Sequence, residues 1–235
     1  MIKVNIGQYS GFDNLEAMLL ARNYNQYLLH LISRFVGNSR KIVDFGAGIG
    51  TFAMAMRNQG YSIDCIEPDE LQRQIIESHG ISAKPLLVSI DQNQVDYLYS
   101  LNVLEHIEDD QAILKEIYSS LVPGGYAFIY VPAFEILFSS MDRKVGHFRR
   151  YTKKDLIAKL QSTNFIIEKT QYVDSLGFIA ALIFRFINNG SGGLNKRTLV
   201  FYDRVIFPIS RLCDHLFHNL FGKNVWVLAR KPEYI

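Results

Sequence analysis

The sequence predicts an α/β fold: a doubly wound, mostly parallel sheet of about seven strands, with a helical insert between the last two. Three observations predict it. Short apolar runs alternate with helix-periodic runs through the first 140 residues. The strand-like runs are apolar almost throughout, the pattern of strands covered on both faces. A glycine-rich turn follows the first of them directly, at Gly46, Gly48 and Gly50. Right-handed crossovers then place ligands at the carboxyl ends of the strands.

The elements follow in order. Residues 14–35 carry Leu15, Met18, Leu19, Tyr24, Leu28, Leu31 and Ile32 at helical spacing, ending before Gly37 and Asn38. Residues 41–45 form the first strand, and 51–58 a helix closed by Gly60. Residues 61–66 form the second strand, followed by acidic Glu67, Asp69 and Glu70 and a helix to His79. A weak third strand lies near 81–84 and a strong fourth at 95–101. Residues 109–121 read as a helix stopped by Pro123, Gly124 and Gly125, with a fifth strand at 126–131.

After Pro132 the rhythm changes. Residues 133–150 read as loop with a short helix; Thr152 caps a helix at 153–162, and 165–173 is a strand. Two apolar helices, 178–187 and 199–220, precede a last strand at 224–229, with Pro208 expected to kink or split the second helix. The division expected for a single domain over 1–235 is a helical cap (1–36), a cofactor-binding core (37–132), a basic substrate-side segment (133–165) and the apolar insert (177–223).

Composition narrows the classes. Apolar residues make 49% and charged residues 20%, which excludes intrinsic disorder. The apolar run from Leu176 is broken by Arg185, well short of the ~18 residues of a span. Cys65 and Cys213 lack metal-ligand spacing and fit a reducing compartment, and the N-terminus shows no secretory pattern. The expected location is therefore cytoplasmic, with peripheral membrane contact as an option. The net charge of +2 is asymmetric: residues 1–140 carry −7 and residues 141–235 carry +9. The second half thus favours an anionic partner.

The chemistry centres on Val43, Asp44, Phe45, Gly46, Ala47, Gly48, Ile49 and Gly50. Glycines directly after a strand let backbone N–H groups approach a ligand that a Cβ would exclude. Glu67 closes the next strand 17 residues after Gly50, where a carboxylate can accept ribose hydroxyls. Thr51 stands where a nicotinamide fingerprint needs its last glycine, and Asp44 precedes the first glycine by two.

On these residues the chain resembles the class I S-adenosylmethionine-dependent methyltransferases, of the ubiquinone/menaquinone-biosynthesis-like branch. The run from Cys65 to Asp69 is similar to their ribose strand, 100–107 to the segment after strand four, and 121–129 to the turn into strand five. The resemblance implies a Rossmann-like fold with S-adenosylmethionine as cofactor. It implies that Gly46 and Gly48 approach the cofactor's amino-acid portion and that Asp44 organises its amino end. Glu67 then holds the ribose with Pro68 beside the adenine, Leu101 and Asn102 line the methionine portion, and Tyr24 closes over it. The adenine contact after strand three stays open between Ser89 and Asp91.

His106 occupies the position of a base in relatives that act on hydroxyls, with Glu105 to orient it; the bland alternative is that both serve the following helix start. His147, Arg150 and Tyr151 lie in a run from Gly146 that resembles bacterial methyltransferases tied to surface-polysaccharide or lipid-carrier chemistry. They offer planar donors for a carboxylate or phosphate. No metal site is expected. The insert can roof a pocket, bury a homodimer contact, dock on a membrane, or add a plain core layer. The expected activity is methyl transfer to the oxygen or nitrogen of a small, anionic, partly apolar acceptor. The alternatives are a methyltransferase of protein or RNA, or a non-catalytic membrane-surface scaffold. Nucleic acid is disfavoured because no interleaved aromatic and basic platform is visible.

Overall fold

The computed structural model describes residues 20–188 and 196–233. Seven strands form one sheet in the order β3-β2-β1-β4-β5-β7-β6. They are β1 (Ile42–Phe45), β2 (Ile63–Ile66), β3 (Ser82–Lys84), β4 (Val95–Leu101), β5 (Leu121–Pro132), β6 (Ile166–Val173) and β7 (Asn224–Arg230). Only β7 runs antiparallel to its neighbours, β5 and β6. The chain reverses its winding between β1 and β4, so a crevice opens at the carboxyl ends of β1, β2 and β4.

Helices cover both faces: α1 (Arg22–Arg34), α2 (Thr51–Asn58), α3 (Glu70–Ser78), α4 (Asp110–Ser120), α5 (Ser140–Lys144), α6 (Lys153–Gln161), α7 (Ser175–Asn188), α8 (Lys196–Phe201) and α9 (Phe207–Phe217). One face buries Val43, Leu98, Ile129 and Val227 under Leu114 of α4 and Leu156 of α6. The other buries the aromatics Tyr97, Tyr99, Phe128, Tyr130 and Trp226 against α1, α2 and α9. Strand alternation puts these rings on one side. Each tyrosine's polar tip finds a partner: Tyr97 donates to Ile32 O (3.0 Å), Tyr99 to Asp44 Oδ2 (3.0 Å), and Tyr130 Oη pairs with Tyr24 Oη (3.0 Å). The aromatic layer thereby links the core to the crevice.

One expectation is corrected. Pro123, Gly124 and Gly125 do not lie before the fifth strand but within it. Leu121 already pairs with Val95, and the register slips between Val95 and Tyr97. Gly124, at φ +80°, absorbs the bulge. The helix expected over 199–220 is divided near Pro208, as the proline predicts, into α8, a π turn (Tyr202–Ile206) and α9. Pro208 has no N–H for the carbonyl four residues back, and the turn before it widens accordingly. The first helix begins at Arg22; the expected start at Asn14 lies outside the described residues.

That π turn explains how α1 starts. Ala21 offers no side-chain cap. Asp203, 180 residues away, accepts from the backbone N–H groups of Asn23 (3.0 Å) and Tyr24 (2.9 Å). Asp214 does the same for Asp174 and Ser175 at the start of α7, each at 2.9 Å. Both acids are buried, and each satisfies donors that a helix start leaves orphaned. The insert is thus latched to the N-terminal helix, and Phe207 packs on Tyr24 and Tyr27 at 5.4 and 5.7 Å. Among the described residues, no helix is long and apolar enough to cross a membrane.

Candidate active site

Beyond Phe45 the chain turns through Gly46 (φ +78°) and Gly48 (φ +57°) before Gly50 caps α2. The Gly46 and Ala47 N–H groups donate to Ile66 O at 2.8 and 3.2 Å, which pins the loop to the end of β2. A Cβ on Gly46 would lie 2.3 Å from Val103 Cγ2, so the loop and the segment after β4 leave no room for a side chain. Gly48 N–H donates to Glu67 Oε2 (2.8 Å), and Asp69 N–H to Glu67 Oε1 (3.0 Å). Burial raises the Glu67 pKa, and these two N–H groups partly offset it.

Asp44 is buried on β1, beside Tyr99 on β4. Burial pushes its carboxyl up to about 7, the Tyr99 hydroxyl pulls it down, and the Glu67 charge adds to the rise. Asn102 takes a left-handed backbone (φ +55°) immediately after β4, and its N–H donates to Tyr130 O (2.8 Å). Its side chain also bonds Tyr24. The structure therefore gathers Tyr24, Asp44, Gly46, Gly48, Glu67, Pro68, Leu101 and Asn102 around the carboxyl ends of β1, β2 and β4.

A second cluster lies after β4, on the turn Leu104–His106, and on the segment following α5. His147 Nδ1 bonds Asp142 Oδ1 (2.8 Å), and its Nε2 stands 3.8 Å from Glu105 Oε1. The His147 and His106 rings meet edge to face at 4.5 Å. Burial and then the neighbouring His147 lower the His106 pKa to about 4, so its imidazole is neutral. Asp109, not Glu105, caps the following helix, accepting from Ala112 N–H (2.9 Å).

Arg150 and Tyr151 do not present free donors. The Arg150 fork closes on Asp142 at 2.9 and 3.1 Å, and Tyr151, 1% exposed, donates to Asp110 Oδ2 (2.8 Å). Arg149 and Lys159 also converge on Asp110, each at 2.8 Å. Burial alone would raise the Asp142 carboxyl, but His147 and Arg150 hold it well below the usual range. Sequence reasoning singled out the basic side chains and missed the two acids that organise them. The signal was present: Asp142 is the only acid between Glu135 and Asp155.

A family model described as a methyltransferase domain matches residues 20–170. The chain belongs to that family. The methyltransferase-domain match takes in every residue of the two clusters just described. The chain is 28% identical over 116 residues to a ubiquinone biosynthesis O-methyltransferase of Rickettsia felis, covering 44% of this chain and 47% of that one. It thus spans about half the length of that curated relative. Among solved structures, a methyltransferase of Thermotoga maritima superposes with TM-score 0.61 at 18% identity, covering 93% of this chain and 94% of that one. Phosphoethanolamine N-methyltransferase 2 of Haemonchus contortus superposes with TM-score 0.64 at 16% identity, covering 95% and 58%. These likenesses establish the methyltransferase fold, a seven-stranded sheet with one reversed strand.

Proposed function

We propose that this chain transfers a methyl group from S-adenosylmethionine to a hydroxyl of a small, partly apolar acceptor met at a membrane surface. One observation carries the cofactor reading: Glu67, at the end of β2, is drawn onto the Gly48 N–H of a loop that excludes side chains. The residues fit an adenosyl donor. Each Glu67 oxygen receives one backbone N–H and keeps acceptor capacity for a ribose hydroxyl. Asp44 supplies negative charge for the donor's ammonium, and Leu101, Asn102 and Tyr24 enclose the methionine portion.

The donor's sulfonium supplies the methyl group with a good leaving group, so the chain's task is mainly alignment of the acceptor. Gly46 and Gly48 keep the loop close, and the Tyr24–Tyr130 pair holds α1 against the crevice. The hydroxyl preference is supported by the relative named as an O-methyltransferase. The expected grip on an anion through Arg150 and Tyr151 loses its support, because both serve internal acids.

The acceptor's class is argued from the insert. Phe201, Val205, Ile209, Leu212 and Leu216 recur at helical spacing and, with Leu220 in the turn after α9, are 42–77% exposed. The insert's two acids, Asp203 and Asp214, are buried, while Lys196, Arg204 and Lys223 are exposed. An apolar stripe rimmed by cations suits an anionic lipid surface. In an assay with radiolabelled donor and membrane extract, label is expected in the organic phase. Replacing Leu212 and Leu216 with aspartate should cut both that transfer and co-sedimentation with phosphatidylglycerol vesicles at least tenfold, with donor binding unchanged. Label in precipitated protein or RNA would contradict the acceptor class. Loss of a dimer instead of vesicle binding would assign the stripe to a second copy.

A further inference from the structure

Glu105 is fully buried, and neither carboxylate oxygen has a hydrogen-bond partner. A buried carboxylate is ordinarily paired or bound to a metal. The groups that face it are two imidazoles. One ligand atom each from Glu105, His106 and His147 lies within 4.8 Å of the others, and among the described residues no other such trio of histidine, cysteine or acidic groups occurs.

The surroundings orient both rings. Asp142 takes the Nδ1 side of His147 at 2.8 Å, which turns Nε2 toward Glu105. Asp142 is fixed in turn by the Arg150 fork and by Ser139 N–H (2.8 Å) and Oγ–H (2.9 Å). The carbonyls of Val145 and Gly146 hydrogen-bond the His106 ring. A carboxylate or carbonyl behind each histidine is the arrangement that fixes the tautomer of a metal ligand. The 3.8 Å from His147 Nε2 to Glu105 Oε1 is a few tenths longer than the ~3.4 Å between two ligands of one tetrahedral ion.

We infer that Glu105, His106 and His147 bind a divalent first-row transition ion of the Zn²⁺ class, with Asp142 and Arg150 as positioning residues. Two nitrogens and one carboxylate suit such an ion better than Mg²⁺ or Ca²⁺, which prefer oxygen throughout. Three protein ligands leave a position open, as in catalytic rather than structural sites. Val103, two residues before Glu105, packs on Gly46, so the cluster lies beside the donor loop. Resting on the hydroxyl reading above, the ion's role is to hold the acceptor's oxygen and favour release of its proton to solvent. The carbon–oxygen bond then forms as the carbon–sulfur bond breaks, its electron pair staying on sulfur.

The test is direct titration of the metal-depleted full chain with Zn²⁺, and with Co²⁺ followed by visible absorption, without acceptor. One ion per chain is expected. Glu105→Gln and His147→Gln should weaken binding at least about a hundredfold and Asp142→Asn about tenfold to a hundredfold, while S-adenosylmethionine binding persists. Unchanged Zn²⁺ affinity in the Glu105→Gln/His147→Gln double variant would overturn the site. If the variants also lose donor binding, wild-type Co²⁺ decides: intense bands of a low-coordinate site support it, and the pale aqueous spectrum overturns it. A bound ion without methyl transfer to hydroxyl acceptors would refute the hydroxyl reading and leave the site standing.

Discussion

Replacing Gly46 with alanine should abolish S-adenosylmethionine binding, weakening it at least about a hundredfold, and should lower the melting temperature. Two independent costs add. The residue sits at φ +78°, where a Cβ costs roughly 1–2 kcal/mol. The new Cβ would also lie 2.3 Å from Val103 Cγ2 and 3.1 Å from Val103 Cβ, so a rotamer change alone does not relieve the contact. The loop cannot retreat without breaking the Gly46 bond to Ile66 O at 2.8 Å. Titration calorimetry and thermal melting measure the two effects. Wild-type affinity in Gly46→Ala would mean that the donor does not use this loop.

Asp44 carries the second large effect, and it is legible in pH. Its folded pKa, about 7, lies above the ordinary 3.8, because burial and then Glu67 disfavour the charge. The native state therefore binds a proton that the unfolded chain has released between about pH 4 and 7. Stability should fall as pH rises through that window, by on the order of 2–4 kcal/mol, and level off above it. Tyr99 and Cys65 face the same carboxyl, and burial holds both in their neutral forms. Glu67 titrates alongside, so the difference between wild type and Asp44→Asn isolates the Asp44 contribution. Denaturant melts at pH 5 and pH 8 should show the asparagine variant gaining stability at the higher pH. Donor binding needs the charged carboxylate opposite an ammonium. Affinity should accordingly rise from pH 6 to 8 with proton release, and both signals should vanish in Asp44→Asn. A pH-independent affinity in wild type would remove Asp44 from the site.

The sequence shows most plainly what local pattern dictates. The fourth strand is visible because its residues are apolar on both faces, and it runs Val95–Leu101 as expected. The glycine loop and Glu67 are visible because close backbone approach and ribose binding demand those residue types at that spacing. What local pattern does not carry is long-range pairing. Asp203 caps a helix 180 residues away, and nothing in its own neighbourhood marks it as buried. The basic run after Gly146 is conspicuous, yet its inward direction is set by Asp142 and Asp110, whose roles emerge only when the chain closes. Glu105 and His106 are adjacent, but His147 reaches them through the fold alone. Pro123, Gly124 and Gly125 mislead in the opposite sense: turn residues can also form a bulge within a strand, and pairing with β4 decides which.

On the function proposed above, the crevice between the glycine loop and Glu67 holds S-adenosylmethionine. Titrating the donor into wild type and Glu67→Ala at one pH tests it most directly. One site per chain and at least tenfold weaker binding in the variant are expected, since a charged contact to the ribose is worth about 1.5–3 kcal/mol. Equal affinity in the two proteins would contradict it.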